Sequence, residues 1–239
     1  MDIFLNGLQD AFFTTLYFGG VALTTLLIKY VFKLKGEWYR KSLHLFFMGS
    51  IFPFLYLFDF WYTSVITMVL FMVFALIGLT ILERFSFYSS LLAERKKGEV
   101  KRSIALAFFT YILITSVVWG IFGEDYKYIV LASILSWGIG DALAALVGQG
   151  KNTTVIKHKF IKCRKTVEGS LAMFISSLII IFFIVYLSGV GHVFYVVIAS
   201  LLASLLATAT EIFSKEGDDT LWVPLIVSMT LLASTHLFY

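Results

Sequence analysis

An all-α, polytopic integral membrane protein of about eight transmembrane helices is what the sequence predicts, and three observations predict it. Of the 239 residues 59% are hydrophobic, the mean hydropathy is +0.90, and only 14% are charged, well under the quarter usual in soluble domains. Apolar runs of span length recur along the whole chain. The basic residues gather in alternate connecting segments, as the positive-inside rule requires of cytoplasmic ones. A soluble fold of this size has too little interior to hide so much apolar surface. The net charge of +4 and pI near 9.0 are therefore assigned to cytoplasmic loops rather than to nucleic acid. The single cysteine, Cys163, excludes an internal disulfide and offers no Cys/His zinc spacing.

The predicted spans are Ala11–Phe32, Leu43–Phe58, Trp61–Leu82, Ile104–Phe122, Tyr128–Val147, Ser170–Leu187, His192–Phe213 and Leu221–Tyr239. The first follows Asp2 and Asp10 rather than a basic region, so it reads as a retained anchor and not a cleaved signal peptide. The second is short, and its helix is expected to extend past Ser42 into polar sequence. Tight links near Asp59 and Gly189–Gly191 make hairpins of the second and third spans and of the sixth and seventh. Eight spans put Lys33–Lys41, Glu83–Arg102, Gly148–Glu168 and Ser214–Thr220 on one side. With Lys29 these hold 18 of the 19 Lys and Arg residues, Lys127 alone lying opposite. That side is assigned to the cytoplasm, and both termini to the outer side. The polar segment Glu83–Arg102 is too charged to span. Phe85, Tyr88, Leu91 and Leu92 at helical spacing suggest an interfacial amphipathic helix there, with a solvated loop as the alternative. No internal repeat or linker appears, so residues 1–239 are treated as one membrane-embedded domain.

The conspicuous polar residues fall at one level of this layout. Asp141 lies about two turns from the cytoplasmic end of the fifth span, in GDALAALVGQGK (Gly140 to Lys151). KTVEGSLA (Lys165 to Ala172) opens the sixth, Glu211 nears the end of the seventh, and Asp218 and Asp219 precede the eighth. Arg40, Lys41 and His44 begin the second, Arg40 and His44 sharing a helix face four residues apart. A carboxylate inside a span costs several kcal/mol, about 3 on insertion scales, and usually marks function.

Each residue has a plainer reading. Asp218, Asp219 or Thr220 suits a helix N-cap; Glu211 suits an i,i+4 pair with Lys215; Arg40 and Lys41 suit topology anchors. His44 suits a hydrogen-bonded interface histidine, and Lys165 and Thr166 suit one more anchor and one more cap. Asp141 resists capping and solubility explanations, although a structural acid paired with a lysine stays open. Taken jointly, the set matches the needs of phosphoryl transfer: carboxylates for Mg²⁺, cations for phosphates and a positioned nucleophile. Asp141, Glu211, Asp218 and Asp219 are the candidate metal ligands. Lys165, Arg40, Lys41 and Lys151 are candidate phosphate cations, and Gly148 and Gly150 permit close backbone approach. Asp141, Lys165 and His44 are the candidate catalytic groups.

RKSLHL (Arg40 to Leu45), GDALAALVGQGK, KTVEGSLA and EGDDTLWVPL (Glu216 to Leu225) together resemble the CTP-dependent lipid kinases. That family comprises the dolichol, phytol and farnesol kinases and the CTP-dependent diacylglycerol kinase, related to the phosphatidate cytidylyltransferases. The resemblance implies a CTP-binding region at Gly140, Asp141, Gly148, Lys165, Thr166, Glu168 and Gly169, with the acidic stretch at Asp218 and Asp219. Thr220 stands where the family often has Asn, and Trp222 where it has a small polar residue. The KR…KD…GGxxDR pattern of the cytidylyltransferases is missing, which favours the kinase branch. The resulting expectation is transfer of the γ-phosphoryl group of CTP, with Mg²⁺, to a lipid alcohol, either a polyprenol or isoprenoid alcohol or diacylglycerol, at the cytoplasmic membrane surface. A cytidylyltransferase and an ion-coupled transporter are the competing expectations, and clustering of ionisable groups on one side disfavours the transporter.

Overall fold

Helices occupy all eight of the predicted stretches. The computed structural model describes residues 2–34, 36–86, 88–92, 94, 96–150, 152–161, 163–215 and 217–238. Among them six helices are long and apolar enough to cross a membrane: Phe12–Phe32, Trp61–Leu82, Glu99–Phe122, Glu124–Gly148, Val167–Leu187 and Val193–Phe213. The second and eighth helices form but fall outside that set. One opens with Glu37, Arg40 and Lys41 and contains Pro53; the other carries Pro224, His236 and several Ser and Thr residues. The chain divides into two compact units, 1–116 and 117–239.

In the first unit α1 (Asp2–Phe32) ends at Lys33, whose φ of 52° is left-handed. α2 (Gly36–Tyr56) begins seven residues before the apolar run, as its short length foretold, and α3 (Trp61–Leu82) follows after a tight link. Of the segment 83–102, for which an interfacial helix and a solvated loop were both open, the described residues include a five-residue helix α4 (Tyr88–Leu92). Gly98, at φ 79°, then starts α5 (Glu99–Ile114). The left-handed glycine stops any helix from running through, and Lys101 of α5 instead turns back to hydrogen-bond Glu83. That bond holds the Glu83 carboxyl below the usual carboxylate range. α5 runs on into a π-helical turn, Thr115–Trp119, and the α-turn α6 (Gly120–Phe122), the latter already in the second unit. The core of the first unit is aromatic. Phe18 lies 4.8–5.9 Å, ring to ring, from Phe47, Phe54 and Phe71, and Tyr111 hydrogen-bonds Ser64 at 2.7 Å. Between apolar helices in lipid such packing and buried hydrogen bonds replace the hydrophobic drive of water.

The second unit is an up-and-down four-helix ring. α7 (Lys127–Gly148), α8 (Val167–Leu187), α9 (Val193–Phe213) and α10 (Asp219–Phe238) pack in cyclic order, α10 closing on α7. Its register is read from pairs. Ser177 Oγ donates to Ser136 O, a Cβ on Gly140 would meet Met173, and one on Gly169 would meet Gly148; the two numbers run oppositely, so α7 and α8 are antiparallel. Tyr195 meets Thr235, and Phe122 meets His236 while Trp137 meets Asp219, which sets α10 antiparallel to both its neighbours. Consequently the C-termini of α7 and α9 and the N-termini of α8 and α10 share one end. At the other end Lys127 lies with its Nζ 3.9 Å from the Trp119 ring centre and 4.0 Å from Glu124, a cation–π contact.

Glycine makes the α7–α8 crossing possible. A Cβ on Gly169 would stand 2.8 Å from the Ala144 carbonyl oxygen, and one on Gly148 2.8 Å from Thr166 Oγ1. α9 offers a comparable small-residue stripe, with Ala199, Ala203 and Ala207 buried at intervals of four and Glu211 continuing the same face. Gly169→Ala is expected to cost about 1–3 kcal/mol by overpacking against backbone and to lower the melting temperature in detergent. Gly78→Ala on α3, where a Cβ meets nothing within 4 Å, is expected to leave it unchanged.

Candidate active site

The loop after α7 folds onto the start of α8. Thr166 is the N-cap of α8, its Oγ1 accepting from Gly169 N at 3.1 Å. The capping reading of Thr166 is thus realised. Upstream the chain pairs with itself: Ile156 N donates to Lys165 O and Val167 N to Thr154 O, both at 2.9 Å. Glu168 holds this hairpin by accepting from Thr154 N with both carboxylate oxygens, at 3.0 and 2.9 Å. Thr153 Oγ1 donates to Gly150 O at 2.9 Å and lies 3.4 Å from Arg164 Nη2. Lys151 lies outside the described residues. Gly150 is exposed, whereas Gly140 and Gly169 are buried in the α7–α8 contact that Gly148 shares.

Lys165 precedes the cap in extended backbone, so its side chain leaves on the face opposite Thr166. It reaches across to α9 and forms an ion pair with Glu211 Oε1. The plainer reading of Glu211, a pair with Lys215, is not the one realised: Lys215 is exposed beyond the helix end, while Glu211 is 5% exposed on the inward stripe. Glu211 Oε2 is buried with no hydrogen-bond partner among the described residues. A buried carboxylate oxygen left unsatisfied is costly, and in a native fold it asks for an explanation.

Asp141 is half-buried on α7, one turn after Trp137, so the two share a face. Trp137 Nε1 donates to Asp219 Oδ2 at 3.3 Å, which identifies that face as the one toward the start of α10. Asp218 supplies the carbonyl that accepts from Leu221 N and Trp222 N, opening α10, and Thr220 is buried beside it. Trp137 escaped the sequence reading, although its i−4 spacing from Asp141 is the signal that would have found it.

Among the described residues no three His, Cys, Asp or Glu side chains come together as a metal site. The expected quartet Asp141, Glu211, Asp218 and Asp219 is therefore not a ready cage: Glu211 is held by Lys165 and Asp219 by Trp137. Mg²⁺ needs only one or two carboxylates when substrate phosphates and water complete its shell. The acids at this end fit that smaller requirement.

Arg40, Lys41 and His44 belong to the first unit. Arg40 Nε donates to Glu37 Oε2 at 3.0 Å, and its Nη1 lies 3.9 Å from Glu99. Lys41 is 4% exposed, and His44 is half-buried one turn after Arg40.

No family model matches the chain, and no solved structure matches it. It is similar to a phytol kinase of Synechocystis sp., 32% identical over 136 residues. The match covers 54% of this chain, which spans about half the length of that relative.

Proposed function

We propose that this protein transfers the γ-phosphoryl group of CTP to a lipid alcohol at the cytoplasmic membrane surface. The observation that carries the reading is the pairing of Lys165 with Glu211 at the end of the ring where Asp141, Asp218 and Asp219 gather. The partial likeness to a phytol kinase supports a lipid alcohol as acceptor, and the CTP-dependent lipid kinase motifs support CTP as donor. The eight helices are placed as eight spans, both termini outside, which puts this end of the ring in the cytoplasm.

In the reaction the acceptor's O–H bond breaks, its oxygen bonds to the γ-phosphorus, and the bond from that phosphorus to the bridging oxygen breaks to release CDP. Lys165 offsets phosphate charge as it passes from the γ-phosphoryl oxygens to the β-phosphate of the departing CDP. Glu211 Oε2, already desolvated and without a donor, or Asp141 receives the hydroxyl proton. Mg²⁺ brought by the nucleotide would be held by phosphate oxygens with Asp141, Asp218 or Asp219, and it supplies further charge neutralisation. Thr166 and Glu168 act indirectly, by fixing the hairpin from which Lys165 projects. Lys151 and Gly150 are proposed phosphate contacts of the loop.

Asp141→Asn is expected to abolish transfer with expression intact, and turnover near the parent level removes Asp141 from the chemistry. Glu211→Gln keeps a polar partner for Lys165 and is expected to lower kcat by about 10²–10⁴-fold if its carboxylate takes the proton. CTP labelled at either phosphorus checks the reaction class after lipid extraction. The γ label is expected in the lipid; the α label there instead means a cytidylyltransferase.

A further inference from the structure

The segment 149–166, which joins α7 to α8, carries six cations, Lys151, Lys157, Lys159, Lys162, Arg164 and Lys165, and no Asp or Glu. It connects two helices long and apolar enough to cross a membrane, Glu124–Gly148 and Val167–Leu187, so it emerges at a bilayer surface. The proposed phosphate contacts Gly150, Lys151 and Lys165 stand at its two ends, and its middle has no part in that reading. Topology alone accounts for a basic connecting segment. It does not account for the way this one is folded.

Beyond the pairs Ile156–Lys165 and Thr154–Val167 the chain reverses at 158–161, where Ile161 N donates to His158 O at 3.0 Å and Phe160 N to His158 Nδ1 at 3.4 Å. The His158 ring meets that of Phe213, the last residue of α9, edge-on at 6.4 Å, within the range of aromatic contacts. The candidate span Val193–Phe213 ends at that residue. The hairpin tip is therefore laid against the place where α9 leaves the apolar layer, instead of standing out in water. There Phe160 is 60% exposed, with Lys159 Nζ 4.8 Å from its ring centre. Lys157, Lys159 and Arg164 are exposed, and none of the three forms a salt bridge among the described residues. An exposed aromatic ring and several unneutralised cations at one membrane level suit a lipid interface: the ring takes the top of the acyl chains, the cations the phosphates.

We propose that the tip of this loop binds anionic phospholipid headgroups at the bilayer surface, with Lys157 and Lys159 on the phosphates and Phe160 among the uppermost acyl carbons. Charge complementarity selects the occupant. Each cation held near an anionic membrane surface strengthens association about fivefold, whereas zwitterionic headgroups bring no net charge to a segment of six cations without an acid. An acidic protein segment would match the charge, but it gives no reason for an exposed phenylalanine level with the end of an apolar span. Neither donor nor acceptor of the proposed reaction is involved, so the binding is independent of the proposed function.

The single cysteine, Cys163, follows Phe160 closely in the same loop and takes a nitrobenzoxadiazole label. The purified, labelled protein is reconstituted without nucleotide in nanodiscs of phosphatidylcholine, with or without phosphatidylglycerol, either lipid carrying a nitroxide high on its acyl chain. Phosphatidylglycerol is expected to shift the emission to the blue, and its nitroxide to quench the label several-fold more than that of phosphatidylcholine. NaCl at about 1 M, where charges are screened beyond about 3 Å, is expected to remove the difference. Lys157→Gln with Lys159→Gln is expected to bring the two lipids to near-equal quenching, whereas Lys33→Gln with Arg84→Gln, which removes the same charge elsewhere, leaves the difference intact. Equal quenching by both lipids in the unaltered chain overturns the proposal, and so does a difference that survives high salt or the paired Lys157 and Lys159 substitutions. The same response to inorganic phosphate or CTP in phosphatidylcholine nanodiscs overturns it as well, since the ligand is then free phosphate. The lipid comparison and the salt series use the unaltered chain, so they decide the outcome even where the double variant does not fold. Because no turnover is read, selective quenching in a protein without kinase activity sinks only the proposed function, and an active kinase without it sinks only this inference.

Discussion

The close antiparallel crossing of α7 and α8 is the constraint on which the second unit depends. At Gly148 and Gly169 the two backbones approach so nearly that a methyl group on Gly169 would collide with the Ala144 carbonyl. In lipid, where apolar faces gain little by leaving their solvent, such backbone proximity is a principal source of helix association. It also has a local effect. Thr166 sits against Gly148 while capping Gly169 N, so the crossing fixes the first turn of α8. The hairpin is pinned to that turn through Glu168, and Lys165 leaves from its last residue.

Lys165 and Glu211 join elements 46 residues apart. A buried ion pair is weak evidence of stability, because desolvation offsets most of the attraction. Here only one carboxylate oxygen is satisfied, so stability alone is a poor account of it. The α9 stripe explains how Glu211 comes to be buried: alanines at intervals of four leave that face thin, and the acid one turn further on follows them inward. Opposite, Trp137 and Asp219 couple α7 to α10 by a hydrogen bond at the long end of the useful range. Two polar contacts thus tie neighbouring elements of the ring together at this end.

Helix positions were legible because apolar runs and charged interruptions are one-dimensional signals; α3 matches its predicted run residue for residue. The segment 83–102 stayed open between an interfacial helix and a solvated loop because spacing alone does not reveal that Gly98 adopts left-handed backbone. Within the site, Thr166 was legible as a cap because caps are local. The partner of Glu211 was not, since i,i+4 spacing favours Lys215 and only tertiary packing selects Lys165. The glycines carried an ambiguity of their own. A residue without Cβ serves a phosphate and a helix crossing equally well, and the packing around Gly140, Gly148 and Gly169 supplies the second role.

The contact of Lys127 with Trp119 and Glu124 makes α7 a ruler. The buried ammonium lodged against an indole marks the start of that helix. Asp141 comes 14 residues later, about 21 Å further along the axis. A carboxylate thus stands within the apolar length of the candidate span Glu124–Gly148 rather than at its end.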